Sequence, residues 1–504
     1  LYKAVLYTHF ENELRLADWA VFPKMKTHPM VFDWNKDTLI DFLFVNDKGE
    51  TVIMQAKPKV PNGIVTSYDI LPAPPEMCKL KAPQYGAFAD FDGDGMADLL
   101  LVCLDNTLEV WRQEGTEFKK SRVFETNIKG PMVVLDFDGN GAMDLLHYDP
   151  DANQLEIYRN KQVKFCRSRE ESESTDCKPT DKLFQFDSKF GFGKKPDVTV
   201  KVKDLFGSGS GWFGKDSTIV TEDTDGEPLA SLHVNDFDMD GYPDVLVVFE
   251  DGRTHKRMPA ILRNTKQTFR VQEKGAKSVF LQMKGQATSA YFVPSTPSSR
   301  LPDILVNMED GGTIMAFKNA FYRDSFFLQA EVMGSVCLKG SGKRCAELGA
   351  NAERPIANGQ PGATFKYRFA DNDGHRHIRQ GGQTMQSGYR AVPLPFMIFG
   401  LGRVSNFIED AQTALAGPFA PWSGVLTHLI PNSKLLISPP FPDHTGWHTE
   451  LYINPSDYLV YVGIASASVI TLFGILTFIF KMMEIREDNQ ERRRALHAIN
   501  FDAL

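Results

Sequence analysis

The chain offers no Asn-x-Ser/Thr acceptor for N-glycosylation, because Asn454 is followed by Pro455 and proline blocks that site. It has no Cys-x-x-Cys spacing, so zinc ligation is the least favoured use of its cysteines. It has no Gly-x-Ser-x-Gly elbow, no His-Glu-x-x-His helix and no Cys/His pairing with a local signature. Those absences leave no nucleophile or metal-hydrolase site, and no enzyme is expected. No stretch combines a basic run with interleaved aromatics, and the net charge is -8 with a pI near 5.8, which excludes a nucleic-acid binder. No Lys or Arg occurs between Lys434 and Lys481.

What is present suits a large folded protein. At 504 residues, with 11% aromatic and 24% charged side chains, the chain is long enough for two or three domains and is not a disordered tail. Six cysteines, Cys78, Cys103, Cys166, Cys177, Cys337 and Cys345, all precede the long apolar segment near the C-terminus. An even count on one side of a membrane segment reads as disulfides in an oxidising compartment. Cys166 with Cys177 and Cys337 with Cys345 are the pairs close in sequence; the pairing of Cys78 and Cys103 stays open. The chain begins at Leu1 rather than Met, and a signal peptide is expected to have been removed.

Tyr458 to Phe480 runs 23 residues without a charge. A helix of that length spans the roughly 30 Å hydrocarbon core. Tyr458 and Tyr461 stand at one end, and Lys481, Arg486 and Arg492–Arg494 follow the other. The positive-inside bias therefore places the N-terminus outside and the C-terminus in the cytosol, a type I single-pass protein of the plasma membrane. The tail, 481–504, is too short to fold alone; a helix continuing from the span is expected, and its basic triplet suits anionic lipid.

One pattern recurs before that segment. Asp90–Asp98 reads DFDGDGMAD, Asp136–Asp144 DFDGNGAMD, Asp236–Asp244 DFDMDGYPD and Asp33–Asp41 DWNKDTLID, each followed by an apolar run. Strand, tight acidic loop and strand is the expected local structure. Oxygen side chains at positions 1, 3, 5 and 9 suit a calcium ion, which takes six to eight hard oxygen ligands. Glycine at position 6 allows the left-handed turn, and the carbonyl at position 7 completes the set. The expected ligands are Asp90, Asp92, Asp94, Met96 and Asp98; Asp136, Asp138, Asn140, Ala142 and Asp144; and Asp236, Asp238, Asp240, Tyr242 and Asp244. Asp33, Asn35, Asp37 and Asp41 form a fourth set, but Thr38 replaces its glycine; a β-branched residue resists positive φ, so weaker binding or none is expected there. Ser295–Asp303 keeps the closing Asp without the early acids. The calcium is expected to be structural, since its ligands leave no open position for chemistry.

The loops begin at 33, 90, 136, 236 and 295. Spacings of forty to sixty residues fit one propeller blade each, and the 100-residue interval fits two, with Asp204–Gly214 (DLFGSGSGWFG) as a degenerate blade turn. The fold class is therefore all-β: a six- to seven-bladed β-propeller over 1–325, a β-sandwich over 326–454, a transmembrane helix over 455–480 and a cytosolic tail over 481–504. In the second domain, ATFKYRF and HIRQGGQ flanking Ala370–Gly374 predict a hairpin, and Cys337–Cys345 (CLKGSGKRC) is a turn that a disulfide is expected to clip. His375 and His377 beside the hairpin read as solvated rather than metal-bound.

The loops resemble the FG-GAP repeats of integrin α-chain propellers. The whole chain resembles the T-cell immunomodulatory protein family, also called linkin, through Met239–Val248, Phe399–Asp410 (FGLGRVSNFIED), Ile430–Ile437 and the ending Phe501–Leu504 (FDAL). Its FGLG and GGQ segments are also similar to the β domain that follows FG-GAP repeats in cartilage acidic-type proteins. The resemblance implies a glycoprotein receptor acting in cell adhesion, ligand recognition and modulation of T-cell responses. It also implies cytosolic links to RuvB-like ATPases and tubulin, while the missing glycosylation sites depart from such ectodomains. An obligate subunit of a larger membrane complex is the alternative, told apart by co-purification of a partner at fixed stoichiometry.

Overall fold

A computed structural model describes Tyr7–Ile499 apart from residues 11–12, 17–20, 60–63, 116, 167–176, 181, 207–211, 224, 274, 294–300, 310–311, 321–324, 334–358, 371–375, 387–390, 392, 403–407, 418–420, 428, 441–445 and 454–457. The chain separates into two compact units, Leu1–Tyr452 and Ile453–Leu504.

In the first unit, consecutive antiparallel sheets follow one another along the chain, after a hairpin of Tyr7–Phe10 and Glu13–Leu16. The first sheet orders Met30–Phe32, Asp41–Val45, Thr51–Lys59 and Ile64–Pro72; the second Ala87–Ala89, Asp98–Val102, Leu108–Glu114 and Glu117–Phe124. The third orders Met132–Leu135, Asp144–Asp149, Gln154–Tyr158 and Val198–Lys201. In the fourth, Asp244–Glu250 takes both Thr218–Ile219 and His233–Asn235 on one side, then Arg257–Asn264 and Phe269–Val271. The fifth has Ala287–Val293, Asp303–Met308 and Ile314–Phe317. After their opening Asp, second strands such as DLLLV and DVLVVFE are mostly apolar and buried, because both faces are covered. Continuous cores join the first sheet to the second, the second to the third, and the third to the fourth and fifth.

Five repeat sheets are therefore described, against the six or seven blades expected. Among the described residues, the 100-residue interval does not hold two blades. It contains the rest of the third sheet, an insertion after Tyr158 clipped by Cys166–Cys177, and the extra strand Thr218–Ile219. The glycine-rich segment that read as a blade turn begins in a single helical turn, Val202–Leu205, and sends Trp212 and Phe213 into the core. The second disulfide is Cys78–Cys103; Cys337, Cys345 and most of the 295–303 loop lie outside the described residues.

The C-terminal part of this unit is two four-stranded sheets around one core. One orders Met397–Gly402, Phe326–Val332, Ser433–Ser438 and His448–Ile453, its middle pair parallel. The other orders Arg376–Gly382, Thr364–Ala370, Asp410–Ala414 and Ser423–Leu426. The expected hairpin is present, Thr364 pairing Gly382 through to Ala370 with Arg376, its turn outside the described residues. His377 stacks on Phe369 at 5.3 Å; His375 is not described.

The second unit contains one helix, Tyr458–Ile499, of 42 residues. It is long and apolar enough to cross a membrane. Three of its hydroxyls turn inward on the helix: Ser468, Thr471 and Thr477 donate to the carbonyls of Ile464, Ala467 and Phe473, which removes polar groups that lipid would leave unpaired. The helix does not stop with the apolar run but continues through Lys481, which pairs with Glu484.

Candidate cation-binding loops

Each acidic loop links the first strand of a sheet to its second, and its closing Asp is the first residue of that second strand: Asp41, Asp98, Asp144 and Asp244. The same hydrogen bonds build all four. The first Asp accepts from the backbone N–H of position 6, Asp90 from Gly95, Asp136 from Gly141, Asp236 from Gly241 and Asp33 from Thr38. The closing Asp accepts from position 2, as Asp98 does from Phe91 and Asp41 from Trp34. The side chain at position 5 accepts from position 7, holding the backbone of Met96, Ala142 and Tyr242 in place.

This geometry demands positive φ twice. Position 6 has it at Gly95, Gly141 and Gly241, and at Thr38 with φ 64. Position 4 has it as well, at Gly93 and Gly139 but also at Lys36 (φ 62) and Met239 (φ 56). The sequence revealed the first requirement and hid the second, because only two of the four residues at position 4 are glycine.

The three glycine-bearing loops draw carboxylate oxygens together. Ligand atoms of Asp90, Asp92 and Asp94, of Asp136, Asp138 and Asp144, and of Asp236, Asp238 and Asp244 each lie within 4.8 Å of one another. Burial and neighbouring acids push their carboxyls up. Asp98, Asp144, Asp236 and Asp244 stand well above the usual carboxylate range, Asp94 rises to about 8, and Asp90 and Asp136 rise to about 6. Buried carboxyls in such company stay ionised only beside positive charge. Oδ1 of Asp138 is buried without a hydrogen bond, an acceptor of the hard-oxygen type that calcium takes. The donor set of these three loops fits such an ion; Met96, Ala142 and Tyr242 would add their carbonyls. In the Asp33 loop the position-3 carboxylate is missing. Asn35 instead donates to Asp37 at 2.9 Å, while burial raises Asp33 to about 8 and Asp41 to about 7.

Two further residues recur in several of the repeats and went unnoticed in the sequence. A basic residue at the end of the third strand faces position 3: Arg112 pairs with Asp92, Arg263 with Asp238 at 2.5 Å and Arg159 with Asp138 at 3.7 Å. The next residue ties one sheet to the one before. Asn160 Nδ2 donates to the carbonyl of Phe91, Asn264 to that of Phe137 and Asn319 to that of Phe237. Their backbone N–H groups bind Asp144, Asp244 and Asp303. The recurring signal was a basic–amide dipeptide, Arg159-Asn160, Arg263-Asn264 and Lys318-Asn319. In the second sheet Gln113 follows Arg112, and its amide is buried without a partner.

The C-terminal sandwich supplies the remaining charge. Lys366 is fully buried, with its ammonium pulled down to about 8 by desolvation, against which the charge of Asp90 acts first. Arg379 opposes the desolvation of Asp136.

Comparison with known proteins follows the same division. Residues 90–147, which contain two of the loops, match the model of the FG-GAP-like repeat, and residues 355–452 match the model described as ITFG1, C2 domain. The chain is 25% identical to the T-cell immunomodulatory protein of Homo sapiens, over 94% of this chain and 74% of that one. It is 22% identical to protein linkin of Caenorhabditis elegans, over 83% and 66%. Among solved structures, AofleA from Arthrobotrys oligospora aligns at a TM-score of 0.23 and 12% identity, over 67% of this chain and 90% of that one, a likeness too slight to bear on the fold.

Proposed function

The chain belongs to the family of T-cell immunomodulatory proteins and linkin, and on that premise we propose that it is a single-pass cell-surface protein. Its ectodomain is a propeller stiffened by calcium that recognises a protein ligand in adhesion and in the modulation of T-cell responses. The observation that carries this reading is the threefold recurrence of buried carboxylates gathered within 4.8 Å at one end of consecutive sheets. Such a cluster gains a rigid shape from an ion and has no further group positioned to react, so the ion stiffens a scaffold whose other surfaces bind.

The apolar helix Tyr458–Phe480 spans the plasma membrane in this reading, with residues 1–454 outside and Lys481 onward in the cytosol. The helical tail is the surface on which RuvB-like ATPases or tubulin would dock. Calcium titration of the full chain in detergent, by calorimetry, tests the scaffold. Three sites are expected, and Asp92→Ala, Asp138→Ala and Asp238→Ala should each remove one. Absence of any binding heat would reduce the acidic loops to turns. Affinity capture from cells tests the recognition role; a partner at fixed stoichiometry under all conditions would instead make the chain an obligate subunit.

A further inference from the structure

The acidic loops do not face solvent. Strands Arg376–Gly382 and Met397–Gly402 of the C-terminal sandwich lie across three of them. Gln380 donates its backbone N–H to Asp136 Oδ2 at 3.1 Å and its side-chain amide to the Asp90 carbonyl at 3.0 Å. The Gly400 N–H reaches Asp236 Oδ2 at 3.1 Å. Arg379 bridges two loops, binding the carbonyls of Gly139 at 2.5 Å and Gly241 at 2.8 Å. Gly402 N–H adds the carbonyl of Met239 at 3.0 Å. The Oδ2 atoms of Asp136 and Asp236 that the sandwich uses are the ones that also accept from position 6 of their own loops.

The first Asp of each loop thus has two claims on it, an ion's and the sandwich's. Charge balance supports both at once. Eleven carboxylates stand in the three loops: Asp90, Asp92, Asp94, Asp98, Asp136, Asp138, Asp144, Asp236, Asp238, Asp240 and Asp244. Three divalent ions would neutralise six of those charges. Arg112, Arg159 and Arg263 from the repeats and Lys366 and Arg379 from the sandwich supply the other five. Without the ions, like charges inside each loop repel, and the spacing of the Oδ2 acceptors that the sandwich strands read is no longer held.

We propose that the C-terminal sandwich is the loops' binding partner within the chain, and that calcium and this joint strengthen each other through the shared position-1 aspartates. The inference rests on the calcium reading given above. Coupling of this kind is reciprocal: what the ion does for the joint, the joint does for ion affinity. Gln380 offers a cut that leaves every ligand side chain in place, since its amide holds the Asp90 carbonyl, whereas a Cβ at Gly400 would lie 2.1 Å from Asp236 Oδ2 and 2.4 Å from the Met239 backbone and so presses on a ligand as well as on the joint.

The test is hydrogen exchange of the full chain in detergent, with calcium and with chelator, read on peptides covering 376–382 and 397–402. Calcium is expected to slow exchange there along with the loops. Gly400→Ala and Gln380→Ala are expected to weaken calcium binding roughly five- to tenfold, whereas Val425→Thr, on an exposed outer strand, leaves it unchanged. If calcium binds and protects the loops while both strands exchange at the same rate or faster, the joint is not coupled and the inference falls, with the calcium reading intact. If no calcium binds at all, both fall together. The exchange comparison on the unaltered chain stands even should a variant fail to fold.

Discussion

Asp33 and Asp90 close their loops with the same backbone hydrogen bonds, yet only one of the two loops gathers carboxylates to a point. The difference lies at position 3, Asn35 in one and Asp92 in the other, and at position 6, where Thr38 occupies the left-handed region that Gly95 takes in the second loop. Aspartates at positions 1, 5 and 9 are therefore turn builders in the first instance. The acid at position 3 is the one that the Asp33 loop lacks, and it is the residue that an arginine at the end of the third strand meets in each of the three crowded loops.

Four measurements would break or sharpen that contrast. Chelation should have the largest effect. An ion held at a hundredfold excess over its Kd adds about 2.7 kcal/mol per site, so three sites should cost several kcal/mol when emptied, read as a fall in Tm. Next come the single substitutions Asp92→Ala, Asp138→Ala and Asp238→Ala, each expected to remove about one third of the calcium-dependent gain, while Asn35→Ala removes none. Third, the chelated protein should lose stability as pH rises. Its loop carboxyls keep protons in the folded state that the unfolded chain gives up near pH 4, so stability falls from there through the folded values of about 6 and 8 for Asp90 and Asp94. Bound calcium should flatten that slope, which urea unfolding at pH 5 and pH 8 would reveal. Smallest is Thr38→Gly, expected to stabilise by about 1 kcal/mol at most. Relief of the left-handed strain is worth 1–2 kcal/mol and is partly offset by the extra freedom of glycine in the unfolded chain.

The two kinds of loop also show where the sequence was readable. The loops, their flanking strands and the apolar helix were legible because each is a local pattern with its own physical period. The blade count was not, because loop spacing measures chain length and the insertion after Tyr158 lengthens the chain without adding a sheet. The asparagines that tie sheet to sheet were missed because Asn160, Asn264 and Asn319 stand 16, 20 and 16 residues past their closing aspartates, with no fixed offset. The joint lay beyond reach for another reason. Gln380 and Asp90 are 290 residues apart, and nothing local to either announces the other. Gly400 of FGLG is where backbone must come close to backbone, with 2.4 Å between a Cβ there and Met239, while the GGQ glycines make room for side chains, Phe399 at Gly381 and Met385 at Gly382.

The helix of the second unit has a mechanical consequence. It runs 42 residues with no proline between Tyr458 and Ile499, a rod of roughly 60 Å, about twice the thickness of a bilayer's hydrocarbon core. A rod without a hinge transmits torque. Turning one end by a given angle turns the basic triplet Arg492–Arg494 by the same angle and swings it across whatever surface lies beside it. Pistoning by one helical turn would carry it about 5 Å along the axis. No folded domain is needed at the far end for such motion to be felt.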